Sequence, residues 1–125
     1  MTTGRALVVD DDAANRALAK RMLTKLGWEV ADAVDGTAAL ATLGAAEFHL
    51  VLLDISMPGL NGVQVCAEIR QRWGNRHKVV AYTAHAMEGD EQPFLDGGFD
   101  AVLIKPISGP MLSAALEKIG FAGQV

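Results

Sequence analysis

Five short apolar runs rich in Val, Ile and Leu recur along the chain: Ala6 to Val9, Glu29 to Val34, Leu50 to Leu53, Val79 to Tyr82 and Ala101 to Ile104. Each has the length of a strand, and β-branched residues recur in them. Their apolar character is continuous rather than alternating, as expected of strands covered on both faces. Between the runs, apolar residues return at helical spacing: Leu18, Met22, Leu23 and Leu26, then Leu40 and Leu43, then Val65, Ile69 and Trp73. Such stripes face a sheet. A fourth helical segment, Gly89 to Asp96, is weakly patterned, and a fifth, Met111 to Ile119, is clear and has Ser108 placed to cap it. Strands that alternate with helices imply right-handed crossovers and a parallel sheet. The fold expected is α/β, a five-stranded parallel sheet sandwiched by helices.

The length of 125 residues suits one module, 1–125, and gly-rich turns punctuate its units without a repeat or a linker. Half the residues are apolar and 21% are charged, the balance of a globular chain, and the net charge of -4 argues against tracking nucleic-acid phosphates. No apolar run approaches a bilayer span and the N-terminus lacks a signal-peptide apolar stretch, so a cytoplasmic setting without membrane insertion is expected. The lone Cys66 has no disulfide mate, fits a reducing compartment, and reads as core filler.

Open α/β sheets bind ligands at the carboxyl ends of their strands. The first run ends in Asp10, Asp11 and Asp12, the third in Asp54, the fourth in Tyr82 and Thr83, and the fifth in Ile104, Lys105 and Pro106. Three carboxylates drawn together repel, and a divalent ion relieves the repulsion. Hard oxygen ligands with room for water favour Mg2+. Thr83 and Lys105 add a hydroxyl and a compact cation for phosphoryl oxygens. Asp54 is then the nucleophile, since an ionised carboxylate attacks phosphorus without a separate base. Each of these residues taken alone reads as an ordinary polar loop group; five of them at strand ends do not.

The segments LVVDDDAANR, VLLDISMPGLNG, VVAYTAHAM and VLIKPIS, in this order, resemble the receiver domain of two-component response regulators and hybrid histidine kinases, from about Arg5 to Ile119. The resemblance implies the flavodoxin-like (βα)5 receiver fold, with Asp54 as phosphoacceptor. It implies that Asp11 binds Mg2+ directly, that Asp10 acts largely through water, and that the Ser56 carbonyl completes the protein's ligands. Thr83 would bond the phosphoryl group and Lys105 would pair with it, across a cis Lys105–Pro106 peptide. Asp12 stands where related sequences often carry Asn and is read as a loop and capping residue. Ser56 and His85 would flank the path of attacking water and modulate phosphate lifetime. A histidine kinase or histidine phosphotransfer protein would be the donor. A downstream protein would engage the face near Gly89 to Ile119. Such a domain is a signalling receiver that catalyses its own Mg-dependent phosphorylation and dephosphorylation, rather than an enzyme on external substrates.

The remaining polar residues have plainer readings. His49 and His77 lack acidic or cysteine neighbours at ligand spacing and are read as surface residues. Met57, Met87 and Met111 form no stripe and are read as local packing, while Glu88, Asp90 and Glu91 are read as a solvated helix start. A flavodoxin-like cofactor binder would suffer from Asp10, Asp11 and Asp12 beside its phosphate, and a haloacid-dehalogenase-type phosphatase would need an acid where Ser56 stands. The alternative kept is a receiver-fold binding module not controlled by phosphorylation. One departure bears on it. Many receivers carry Tyr or Phe three residues before the lysine, where this chain has Val102, which puts the coupling to output in question rather than phosphorylation.

Overall fold

A computed structural model of the chain describes residues 4–84 and 91–121. Its elements run β1 (Gly4–Val9), α1 (Ala13–Lys25), β2 (Trp28–Ala33), α2 (Gly36–Ala45), β3 (Leu50–Asp54), α3 (Gly62–Trp73), β4 (Lys78–Thr83), α4 (Glu91–Asp96), β5 (Ala101–Ile104) and α5 (Gly109–Lys118). All strands pair in parallel, in the order β2-β1-β3-β4-β5. The sequence step from β2 to β3 crosses over β1, so the crevice beside β1 and β3 is the switch point where such sheets take ligands.

Burial explains the continuous runs. Every residue of β3 is buried. Its odd and even positions serve two cores: Val51 and Leu53 pack with Leu40, Leu43, Val65 and Ile69 on one face, and Leu50 and Leu52 pack with Ala19, Leu23, Leu112 and Leu116 on the other. Cys66 is fully buried in the first core, as its reading required, and burial raises its thiol pKa to about 11.

The caps follow the sequence closely. Asp12 accepts a bond from the Asn15 amide and starts α1, Asn61 and Gln64 form a capping box on α3, and Ser108 accepts from the Met111 amide. Boundaries shift where local chemistry decides. β2 ends at Ala33, leaving Val34 52% exposed, because its ladder with β1 closes at Val9 and Ala33. α5 starts two residues before Met111, with Pro110 in the first turn, where a missing N–H costs nothing. α4 runs to Asp96 as expected, but its expected start at Gly89, together with His85, Met87, Glu88 and Asp90, lies outside the described residues. Glu91 occupies the first turn and is exposed. Met57 is buried in the first core, whereas Met111 is 41% exposed. No helix among the described residues is long and apolar enough to cross a membrane.

One expectation is overturned. His49 is exposed, but His77 is 2% exposed and not a surface residue. The chain enters β4 just after it, and the ring is buried between its contacts with Phe48 and Trp73. Nδ1 lies 2.8 Å from the Phe48 carbonyl oxygen, to which it must donate, and the ring meets Trp73 edge-on. Nε2 has no partner among the described residues. Burial, reinforced by Arg76, Arg70 and His49, holds the His77 pKa below its ordinary value despite the Phe48 bond. The sign follows from linkage. An unfolded histidine takes a proton near about 6.5, the folded one only at lower pH, so stability falls as pH drops below about 6.5. Between about pH 7.5 and 5.5 the urea midpoint of the wild type should therefore drop relative to that of His77→Gln, the raised Asp54 carboxyl acting in the opposite sense but equally in both. Parallel pH dependences for the two would refute the assignment.

Candidate functional site

The sheet register builds the site. Val9 pairs with Leu53, so the residues that follow, Asp10 and Asp54, emerge side by side at the carboxyl edge. Asp54 pairs with Tyr82, and Thr83 with Ile104, which brings Lys105 to the same edge. A cavity of about 210 Å³ opens there, lined by Asp10, Asp11, Asp12, Asn15, Asp54, Ser56, Ala84 and Lys105. A larger one, about 460 Å³, lies around Leu43, Trp73 and His77 and holds no acidic cluster.

Carboxylate oxygens of Asp10, Asp11 and Asp54 lie within 4.8 Å of one another. Asp10 and Asp54 are buried and Asp11 is exposed. Three hard anionic oxygens, one of them open to water, suit Mg2+, which keeps part of its hydration shell. Lys105 Nζ stands 3.3 Å from Asp10 Oδ2 and 3.3 Å from Asp54 Oδ1, so the chain's own ammonium already offsets part of the repulsion. The Lys105–Pro106 peptide is cis.

The two buried acids are tuned apart. Burial pushes the Asp54 carboxyl up to about 6, with Asp10 repulsion adding, against the Ser56 amide and Lys105. Burial also works against ionisation of Asp10. There, bonds from the Tyr82 hydroxyl and the Asp12 amide, with the Lys105 charge, outweigh it and hold the pKa below the ordinary value. The contrast is chemically apt: one acid is a fixed anion, and the other is ionised at neutral pH yet poorly solvated.

Among the residues expected at the site, Asp10, Asp11, Asp54, Ser56 and Lys105 are brought together around one cavity. The Ser56 amide donates to Asp54 Oδ1 at 3.1 Å. Thr83 is buried at the end of β4 and is not among the cavity's lining; its carbonyl accepts the Lys105 amide at 2.9 Å. Asp12 lines the cavity but is committed to capping α1.

Sequence reasoning missed three contributors. The Tyr82 hydroxyl donates to Asp10 Oδ2, and the Lys105 ammonium sits 4.5 Å from the centre of the Tyr82 ring. Arg16 donates to the Asp10 carbonyl at 2.9 Å while paired with Asp32 at 2.9 Å, and Asn15 lines the cavity. A tyrosine ending an aliphatic run was a usable signal, because a buried phenol needs a polar partner. Arg16 and Asn15 gave none, since helix surfaces are full of such residues.

A parallel sheet with a metal-competent acidic cluster at its switch point, beside a buried carboxylate and a lysine, defines a receiver-type signalling domain. Residues 6–117 match the model of the response regulator receiver domain, and the chain belongs to that family. It is 39% identical over 118 residues to the sensor histidine kinase GacS of Pseudomonas protegens, covering 91% of this chain and 13% of that protein. It is 39% identical over 114 residues to the aerobic respiration control sensor protein ArcB of Escherichia coli, covering 90% of this chain and 14% of that protein. The transcriptional regulatory protein TcrA of Mycobacterium tuberculosis matches at 35% over 123 residues, 97% of this chain and 47% of that protein. The chain thus spans less than half the length of these curated relatives. Among solved structures, the response regulator TrrA of Thermotoga maritima, in complex with Mg(2+)-BeF, superposes with a TM-score of 0.82 at 31% identity, covering 95% of this chain and 99% of that one. The chemotaxis response regulator CheY4 of Vibrio cholerae gives 0.85 at 26%, covering 94% and 99%.

Proposed function

We propose that residues 1–125 act as one receiver domain of a phosphorelay, in which Asp54 accepts a phosphoryl group from a histidine kinase or a histidine phosphotransfer protein. The observation that carries this is the Asp54 carboxylate. It is 3% exposed at the end of β3, within reach of Asp10 and Asp11 and 3.3 Å from Lys105. A pKa pushed to about 6 leaves it ionised at neutral pH, so it attacks phosphorus directly while the P–N bond to the donor imidazole breaks. Mg2+, when held by Asp10, Asp11, Asp54 and the Ser56 carbonyl, would supply charge neutralisation on the phosphoryl oxygens. Lys105 would follow the new negative charge, and Thr83 would donate a hydroxyl hydrogen bond to it. The histidine-kinase name of GacS supports a histidine donor, and the Mg(2+)-BeF complex of TrrA supports the site.

Output belongs to the face of α4, β5 and α5. A groove of about 260 Å³ runs there between Glu91, Leu95, Val102, Ala115 and Lys118, and Leu95 on α4, Ile104 on β5 and Met111 on α5 are exposed. Val102 is half-buried against the first core and, with a short β-branched side chain, has no swing to make. Phosphorylation should therefore shift α4 more than Val102 itself. Beryllofluoride added to the Mg2+-loaded protein should move amide NMR resonances around Asp54 and along residues 91–119, and should move none in Mg2+-loaded Asp54→Ala. Changes confined to Leu18 to Leu26 would contradict the output face, and an unchanged wild-type spectrum would contradict the site.

A further inference from the structure

We propose that Tyr82 is a positioning residue of the acidic site, one that fixes how Asp10 meets the metal. This inference rests on the proposal that Mg2+ binds there. Asp10 has no freedom of orientation. Its Oδ1 accepts the Asp12 amide at 2.9 Å, and its Oδ2 accepts both the Tyr82 hydroxyl and, at 3.3 Å, the Lys105 ammonium. A carboxylate offers about four acceptor positions, so roughly one remains, on Oδ1. Asp10 can therefore enter a coordination shell through that single position, directly or by way of a water, while exposed Asp11 keeps its oxygens available to the ion.

Tyr82 is the group that enforces this. It is 1% exposed and packs in the second core with Leu103, Ile107 and Leu112, so its hydroxyl cannot swing off Asp10. Its ring face carries Lys105 Nζ at 4.5 Å, which sets the second donor on Oδ2. Its backbone carbonyl accepts the Ile55 amide at 3.3 Å, one residue past Asp54. One residue thus ties the metal-facing acid, the lysine and the end of β3 into a single frame. Donors to a metal ligand's outer oxygen orient that ligand, and their loss commonly weakens metal binding about 10- to 100-fold.

Calorimetric Mg2+ titration at pH 8 of wild type, Tyr82→Phe, Asp10→Asn and the double variant tests the assignment. Phe keeps the ring, its packing and its face toward Lys105, and removes only the hydroxyl. Tyr82→Phe should bind Mg2+ about 10-fold more weakly. The same change on an Asp10→Asn background should add nothing, because the hydroxyl acts through the Asp10 carboxylate. Wild-type affinity in Tyr82→Phe, or an equal further loss on the Asp10→Asn background, overturns the proposal. A wild type that binds no Mg2+ overturns the metal reading itself, and this inference with it. Tyr82 is the only tyrosine in the chain, so 3-fluorotyrosine labels it alone and gives a second readout independent of the Phe variant. Its single 19F resonance should shift on Mg2+ addition in the wild type and stay in place in Asp10→Asn. A resonance indifferent to Mg2+ in the wild type, in a protein that calorimetry shows to bind the ion, refutes the coupling.

Discussion

Asp11→Ala should weaken Mg2+ binding roughly 100-fold, whereas Lys105→Ala should leave the affinity within a few-fold of wild type and slow phosphoryl uptake instead. The difference lies in how the three acids are committed. Asp10 has most of its acceptor positions filled by Asp12, Tyr82 and Lys105. Asp54 is buried, bonded to the Ser56 amide and paired with Lys105. Asp11 is the exposed member, and on the proposed metal reading it would supply the oxygen that replaces a hydration water. Removing it would delete a proposed ligand that neither buried acid can replace by turning. Removing Lys105 deletes a cation that competes with Mg2+ for the same carboxylates, so metal binding survives while the phosphoryl oxygens lose their counter-charge. Calorimetry on the three proteins decides it: equal Mg2+ affinity for wild type and Asp11→Ala contradicts the ligand assignment, and a collapse of affinity in Lys105→Ala contradicts the division of labour.

Gly62→Ala should destabilise the fold by about 3 kcal/mol, at the upper end for overpacking, and lower Tm by roughly 10 °C. A Cβ at position 62 would stand 2.5 Å from the Asp54 carbonyl oxygen and 2.8 Å from the Ile55 Cα. Both are backbone atoms and cannot rotate aside. The amide of Gly62 also donates to the Ile55 carbonyl at 3.1 Å, which pins the start of α3 to the end of β3. Relief of the clash must therefore move either α3 or the end of β3 that carries Asp54. Gly109→Ala is the control, since a Cβ there meets nothing within 4 Å. Thermal melts of the two variants should differ widely, and a Gly62→Ala protein as stable as Gly109→Ala would show that the β3 end yields easily.

Sheet and helix order were legible because burial wrote them into composition: strands covered on both faces must be apolar throughout, as Leu50 to Leu53 are. The acidic cluster was legible because strand ends converge on one edge in such a sheet, whatever the loops do. His77 was misread because the sequence shows its polarity but not the Phe48 carbonyl that satisfies one nitrogen across 29 positions. The role of Tyr82 escaped for a related reason. Its partner Asp10 is 72 residues away, and only the pairing of β3 with both β1 and β4 shows that the two meet. Lys105 was read as a phosphoryl partner, and the structure adds that it first bridges two aspartates. Pairings across the sheet were the common gap: residue types name a candidate's chemistry, but register decides whom it touches.

Trapping the acyl phosphate tests most directly whether Asp54 is the phosphoacceptor. The protein is incubated with Mg2+ and a small acyl-phosphate donor or a phosphorylated histidine kinase, quenched, reduced with borohydride, and mapped by mass spectrometry. An acyl phosphate is reduced where a free carboxylate is not, so the modified residue reports the site. The label should fall on Asp54 alone, vanish when Mg2+ is chelated, and be absent from Asp54→Ala. Undiminished labelling of Asp54→Ala, or reduction at Asp10 or Asp11 in place of Asp54, would contradict the account.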